Sequence, residues 1–347
     1  MTTLYLIRHA EAEGNLYRRA QGQYNSTITE RGFKQIAALR KRFADVTIDA
    51  CYSSDLWRTR TTALSIAAPR GLEVQLKSEL REIRMGIWED MTWAQIQHFD
   101  APGLTCFNTD AAKWRVEGGE TMLELRERMR RGLTEIAEAN EGKTVAVFSH
   151  GMALRMILGT LQGMELSDID KTTHAENTAV SKLTYEDGVF HVEFRDDSSH
   201  LSDEIATIRH QRWVRHQKGF EGGVWYRPAE NCEGSFDVML LDEVVGGVSL
   251  RVGEDNAAYI EELWLEEHMQ GKGIGEHLVG QAASYARRKG CEWLRVAVPK
   301  TNEVGCACAR KWNFTVREES AEKLVFEKFF GYDLEYCEKK IQEVIDL

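Results

Sequence analysis

Leu4-Tyr5-Leu6-Ile7-Arg8-His9-Ala10-Glu11 sets a short apolar run directly against an Arg-His pair. Such a run, bounded by charge, reads as a buried strand, and in open α/β sheets ligands gather at the carboxyl ends of strands. Arg8 and His9 are therefore predicted to face a site. Outward from this stretch, apolar runs alternate with helical patterns at 32–43, 50–53, 57–68, 121–140, 144–149 and 152–161. That rhythm predicts an α/β sheet domain. A strand pair at 180–185 and 189–194, turned by Glu186-Asp187-Gly188, leads to an Asp- and Ser-rich exit at 195–203.

A chain of 347 residues exceeds what one ordinary core organises, so two domains are expected. A helical segment at 204–218 runs into Gly219 to Gly223, the predicted linker. Beyond it, strands are expected at 238–241 and 244–252, with Gly246-Gly247 between them, and at 259–265. A glycine-rich loop follows, then a helix over 276–289 closed by Gly290. The expected layout is a first domain over 1–201, a helical linker over 202–223, a second domain over 224–330 and a helical tail over 331–347.

The net charge of −11 divides as 25 basic against 29 acidic residues through position 200 and 19 against 26 after it, which argues against a nucleic-acid surface built on general charge attraction and leaves room for a local positive pocket for one phosphate. The seven cysteines and ten histidines show neither CxxC nor HExxH spacing, so no metal is expected. No signal-peptide pattern and no apolar run of membrane-spanning length is seen, and a cytoplasmic protein acting on small molecules is the expectation. Oligomeric state is not legible.

The segment Arg8-His9-Ala10-Glu11 with Asn15 resembles the opening motif of the histidine phosphatase, or phosphoglycerate-mutase-like, superfamily. The resemblance runs on through Gly22 to Gly32, Ser54-Asp55-Leu56-Trp57-Arg58, Leu80-Arg81-Glu82 with Gly86, Trp88 and Glu89, Gly118 to Thr121, Ser149-His150-Gly151, 177–181 and Ser199-His200-Leu201. It implies a three-layer α/β/α domain in which His9 takes a phosphoryl group. A neutral imidazole can attack phosphorus and hold the group covalently, dividing one hard hydrolysis into two easier steps. Arg8, Arg58 and His150, with Asn15 as a neutral donor, would stabilise the equatorial oxygens. The helix after His150 is expected to turn its N-terminus to the same anion. Glu82 stands at the family's acid position, where bound phosphate would keep a carboxyl protonated. Ala10 and Ala12 replace the family's usual Gly and Thr. The short run between Gly86 and Gly118 favours a hydrolase over a mutase.

Gln270-Gly271-Lys272-Gly273-Ile274-Gly275 lets consecutive backbone N–H groups turn to one anion at a helix start. Its spacing is neither that of the P-loop nor that of the Rossmann fingerprint. It resembles the acetyl-CoA motif of the GNAT superfamily of N-acetyltransferases, over about 224–328 and including Asn302 and Trp312-Asn313-Phe314. The resemblance implies a mixed-sheet α+β domain using acetyl-CoA as co-substrate, held at Leu265, at Met269 to Gly275 and at Asn302. Glu261 and Glu262 are candidate bases. Alternation along a strand sends them to opposite faces, so at most one would meet an acceptor, and the choice stays open. Ala309 stands where many members carry a Tyr acid, with Cys308 beside it.

The expected protein is thus a bifunctional enzyme, a histidine phosphatase acting on a small phosphomonoester joined to an N-acetyltransferase acting on a small-molecule amine. One amine-bearing phosphorylated metabolite serving both sites is an expectation motivated by the fusion alone. Two alternatives stand beside it: an acetyltransferase on a non-catalytic phosphatase-like scaffold, and an acetyl-CoA-binding sensor or interaction module.

Overall fold

The computed structural model describes residues 1–172, 174–208, 223–230 and 232–346. Most of the expected helical linker over 202–223 lies outside the described residues. The chain forms two compact units, the first from the described parts of Met1–Met91, Phe99–Glu221 and Asp333–Leu347, the second from Thr92–His98 and Gly222–Tyr332.

The first unit holds a six-stranded sheet in the order β3-β2-β4-β1-β5-β6, with β1 Thr2–Arg8, β2 Ala50–Ser53, β3 Val74–Leu76, β4 Thr144–Ser149, β5 Val180–Glu186 and β6 Val189–Asp197. Strands β3, β2, β4 and β1 run parallel, and β5 and β6 are antiparallel additions. The β5–β6 hairpin turns at Asp187 and Gly188, both at positive φ. The helices, in chain order, are α1 Glu13–Leu16, α2 Glu30–Arg42, α3 Trp57–Ala67, α4 Trp93–Phe99, α5 Ala101–Thr109, α6 Met122–Ala139 and α7 Gly151–Leu161, of which α4, save Phe99, belongs to the second unit. Side-chain caps start the longer ones: Thr29 accepts from the Gly32 N–H ahead of α2, and Thr121 and Glu124 form a reciprocal pair ahead of α6. The register sets Arg8 beside Ser149 and Ser53 beside Phe148. The carboxyl ends of β1, β4 and β2 are thereby adjacent.

The second unit holds a seven-stranded sheet, β12-β13-β11-β10-β9-β8-β7: β7 Trp225–Pro228, β8 Ser235–Leu240, β9 Glu243–Val252, β10 Ala257–Leu265, β11 Trp293–Pro299, β12 Thr315–Glu319 and β13 Lys323–Phe329. Only β10 and β11 pair in parallel. Helix α8 (Ile274–Arg288) buries Val279, Ala282, Ala283 and Ala286 against Val248, Leu250, Ala258 and Ile260, and α9 (Glu303–Lys311) follows β11. The sequence set Gly246-Gly247 between two strands, but both lie inside β9, and the hairpin turns at Leu241, φ 54°. The glycines serve a close approach instead: a Cβ on Gly247 would stand 2.5 Å from Trp264 Nε1, and one on Gly246 2.6 Å from the Trp264 carbonyl.

Helix α10 (Leu334–Ile345), expected as a tail beyond the second domain, belongs to the first unit. Its Cys337 and Ile341 are buried with Ala10, Ala12, Ile28, Phe33, Ile36, Trp57 and Leu64. Asp333 caps it, accepting from the Glu335 and Tyr336 N–H groups. No helix of the described residues is long and apolar enough to cross a membrane.

Candidate functional site

At the carboxyl end of β1, His9 is 2 % exposed and its backbone is held on both sides. Its N–H donates to the Ser149 carbonyl at 3.0 Å, and its own carbonyl accepts from Asn177 Nδ2 at 2.8 Å and the Thr178 N–H at 3.3 Å. The ring Nδ1 meets the Ala10 carbonyl at 2.7 Å. A carbonyl can only accept, so Nδ1 carries the proton and Nε2 keeps a lone pair. Burial, then the charges of Arg58 and Arg8, push the ring well below the usual imidazole range, and it is neutral at pH 7.

His150 follows β4 and is fully buried, its ring centroid 5.3 Å from that of His9. Burial foremost, then Arg58 and His9, push this ring down as well. Its Nε2 lies 2.9 Å from Ser54 Oγ, and its Nδ1 is buried with no hydrogen-bond partner among the described residues. Arg58, from the first turn of α3, donates to the carbonyls of Gly22 at 2.7 Å and Tyr24 at 2.9 Å. Gly22 has φ +48°, and a Cβ there would meet the Glu89 carboxylate at 2.5 Å, so only glycine presents its carbonyl in that way. Arg8 donates through Nη1 to the Ala175 carbonyl, while its Nε is buried and makes no hydrogen bond among the described residues. Asn15 accepts through Oδ1 from the Ala12 N–H at 3.1 Å, which fixes the orientation of its amide.

Glu82 accepts through Oε2 from the Met152 N–H at 3.1 Å and through Oε1 from the N–H groups of Ala153 at 2.9 Å and Ile83 at 3.0 Å. The sequence offered the N-terminus of α7 to an anion, but two of its free N–H groups are taken by this carboxylate. Arg128 on α6 holds the same loop: it pairs with Glu120 at 2.7 Å and donates to the carbonyls of Glu79 at 2.7 Å and Arg81 at 2.9 Å. The structure therefore gathers Arg8, His9, Arg58, Glu82 and His150 around the ends of three adjacent strands. Ser54, Arg128 and Asn177 belong to that arrangement, and sequence reasoning assigned them no role. Ser54 and Asn177 sit inside matched motifs; Arg128, within an amphipathic helix, carried no signal.

In the second unit, β10 and β11 pair only from Ala257/Trp293 to Ile260/Val296, although β10 continues to Leu265. The strands part there, and β10 keeps an edge free of β11 beyond Ile260. The loop after it is tied back by Gln270 Nε2, which donates to the Leu265 carbonyl at 3.0 Å. Gly271 and Gly273, at φ 72° and 81°, take the left-handed conformation that turns the chain into α8. A Cβ on Gly275 would stand 2.6 Å from the Trp312 ring, so this glycine admits the indole. Ile274 is buried, while Lys272 is exposed. Asn302 acts as the N-cap of α9, accepting from the Gly305 N–H at 2.8 Å.

The register of β10 shifts at Glu261, which corrects the expected opposition of Glu261 and Glu262. Glu261 bonds Arg251 at 3.0 Å, and Arg251 pairs with Tyr259 on the face away from Ile260. Glu262 pairs with Ser249, two residues from Arg251, on that same face. Both carboxylates are exposed there. Ala309 is buried and Cys308 is partly exposed on α9. Among the described residues no group of His, Cys, Asp and Glu side chains could hold a metal ion.

Residues 4–198 match the family model of the histidine phosphatase superfamily (branch 1), and residues 202–314 match that of the acetyltransferase (GNAT) family. Probable phosphoglycerate mutases GpmB of Erwinia tasmaniensis and Escherichia fergusonii are each 32 % identical, the alignments covering 58 % of this chain and 96 % and 95 % of theirs. Among solved structures, Bacillus stearothermophilus YhfR is 30 % identical with a TM-score of 0.57, over 58 % of this chain and all of that one. A phosphoserine phosphatase variant of Entamoeba histolytica, solved with phosphoserine, is 26 % identical with a TM-score of 0.52 over the same shares. The chain belongs to the histidine phosphatase superfamily and carries, after that domain, a second domain of the acetyltransferase (GNAT) family.

Proposed function

We propose that the first domain hydrolyses a small phosphomonoester through a phosphohistidine at His9, and that the second transfers the acetyl group of acetyl-CoA to a small-molecule amine. The observation that carries the first half is the His9 ring: neutral, with Nδ1–H spent on the Ala10 carbonyl and the Nε2 lone pair available. In this reading Nε2 attacks phosphorus, the P–O ester bond breaks, and Glu82 as the acid gives its proton to the leaving alkoxide. Water, deprotonated by the Glu82 carboxylate, then cleaves the P–N bond and returns His9. Arg8, Arg58 and His150, with Asn15, stabilise the oxygens of the moving group. The bonds from Met152 and Ala153 fix where the Glu82 side chain stands, at the N-terminus of α7. His9→Ala should lower phosphate release from a panel of phosphomonoesters by a factor on the order of 10³ or more; release at the wild-type rate would leave the domain a scaffold.

For the second half, the residues fit acetyl-CoA: left-handed Gly271 and Gly273 ahead of α8 open the backbone from Met269 to Gly275 to a diphosphate, and the free edge of β10 can pair with an extended amide-bearing arm. Bound acetyl-CoA supplies an activated thioester, and Glu262, which makes no ion pair among the described residues, takes the proton from the acceptor amine. A screen of amines with acetyl-CoA, reading free thiol, tests this. The buried Ala309, where an acid would stand, favours a second reading in which this domain binds acetyl-CoA as a sensor. Cofactor binding without thiol release for any amine would support it.

A further inference from the structure

We infer that Ser54 is a positioning residue of the first site: its hydroxyl fixes the tautomer of His150 so that Nδ1–H faces the phosphoryl oxygens. This rests on the reading of that site as a phosphatase. Ser54 lies at the carboxyl end of β2, fully buried, and its Oγ has two neighbours. The Leu56 N–H lies 3.3 Å away and can only donate to it, and His150 Nε2 lies 2.9 Å away.

The proton can be placed in two ways. If Nε2 were protonated, Ser54 Oγ would accept twice, its own hydrogen would have no acceptor, and Nδ1 would present a bare lone pair in a buried site. That leaves two buried groups unsatisfied. If Ser54 instead donates to Nε2, every atom is satisfied except Nδ1, which carries a hydrogen and is buried without a partner among the described residues. Leaving buried polar groups unmade is costly, so the second arrangement wins. It is also the productive one, because a lone pair aimed at a phosphoryl oxygen repels it and an N–H donates to it. Burial and the neighbouring arginines keep His150 neutral, so its donor capacity at this position depends on which nitrogen holds the single proton.

The step that Ser54 serves involves no new bond chemistry. As His9 Nε2 takes the phosphoryl group, negative charge on an equatorial oxygen grows and the Nδ1–H bond of His150 shortens to it. Among the described residues, Ser54 is the one hydrogen-bond partner at Nε2 that could hold this choice.

The test uses the full-length protein with 15N-labelled histidine, the His150 signals being assigned from their loss in His150→Gln. Without phosphate at neutral pH, the wild-type protein should show His150 as the Nδ1–H tautomer, Ser54→Thr should retain it, and Ser54→Ala should lose it or mix the two forms. In parallel, Ser54→Ala should lower kcat roughly tenfold to a hundredfold with KM for the phosphoester little changed, and Ser54→Thr should recover most of it. A wild-type His150 protonated at Nε2, or a Ser54→Ala variant with both wild-type tautomer and wild-type kcat, would overturn the proposal. The tautomer is read without turnover, so a protein lacking phosphatase activity would sink the phosphatase reading while leaving the assignment of Ser54 to be decided by the spectrum.

Discussion

Burial, more than any single partner, sets the protonation of the three histidines in and behind the first site. For His9, His150 and His200 desolvation is the leading cause of the downward shift, with arginine charge adding to it, and for His200 the value reaches about 4. His200 accepts through Nδ1 from Arg42 at 3.1 Å, so its Nε2–H is left to donate to Thr178 Oγ1, also 3.1 Å away. Thr178 is a β-branched residue at φ 60°, a strained conformation. That turn carries Asn177, whose amide holds the His9 carbonyl. All three rings are bases that bind fewer protons folded than unfolded. Stability is therefore whole above the unfolded value near 6.5 and is lost as pH falls below it, through about 4 for His200. Urea midpoints for loss of phosphatase activity should drop between pH 7 and 5, and His200→Asn should reduce that slope by up to about 1.4 kcal/mol per pH unit. In the second unit, both glutamates share one face, and among the described residues Glu261 alone is engaged there, by Arg251. Glu262→Gln should lower thiol release at least about tenfold. Glu261→Gln should change it little.

At the level of elements, chemistry sits where strands end and helices begin. Much of this was legible: the apolar runs of β1, β2 and β4, the caps of α2 and α6 and the glycines before α8 all signal locally. The shift in β10 was not, because a bulge is a property of a strand pair, and nothing in Ile260-Glu261-Glu262 distinguishes it from plain alternation. Nor was the edge strand β3 or the partner of α10, since an amphipathic helix declares a buried face without saying what covers it. Ile341 on α10 meets the cluster that also contains Ala10 and Trp57, the immediate neighbours of His9 and Arg58. Ile341→Asp places a carboxylate there and should destabilise the first unit by about 3 kcal/mol or more. Phosphatase activity should then be lost at lower temperature, while thiol release by the second unit persists.

For the whole molecule, the sequence showed two families and their order, because each carries motifs dense enough to read alone. What it could not show is that α10, which follows the second unit in sequence, belongs to the first. The motif residues of the phosphatase extend no further than Leu201, yet its apolar cluster includes residues 337 and 341, which follow the strands of the second unit in sequence. Proximity along the chain is a poor guide where a core is closed by a segment that follows another unit. During synthesis the first domain emerges before α10, with the packing site for that helix uncovered until residues 334–345 have been made. The first unit is thus completed only after the second has been made, and a ribosome that stops before α10 leaves the first unit with an open core.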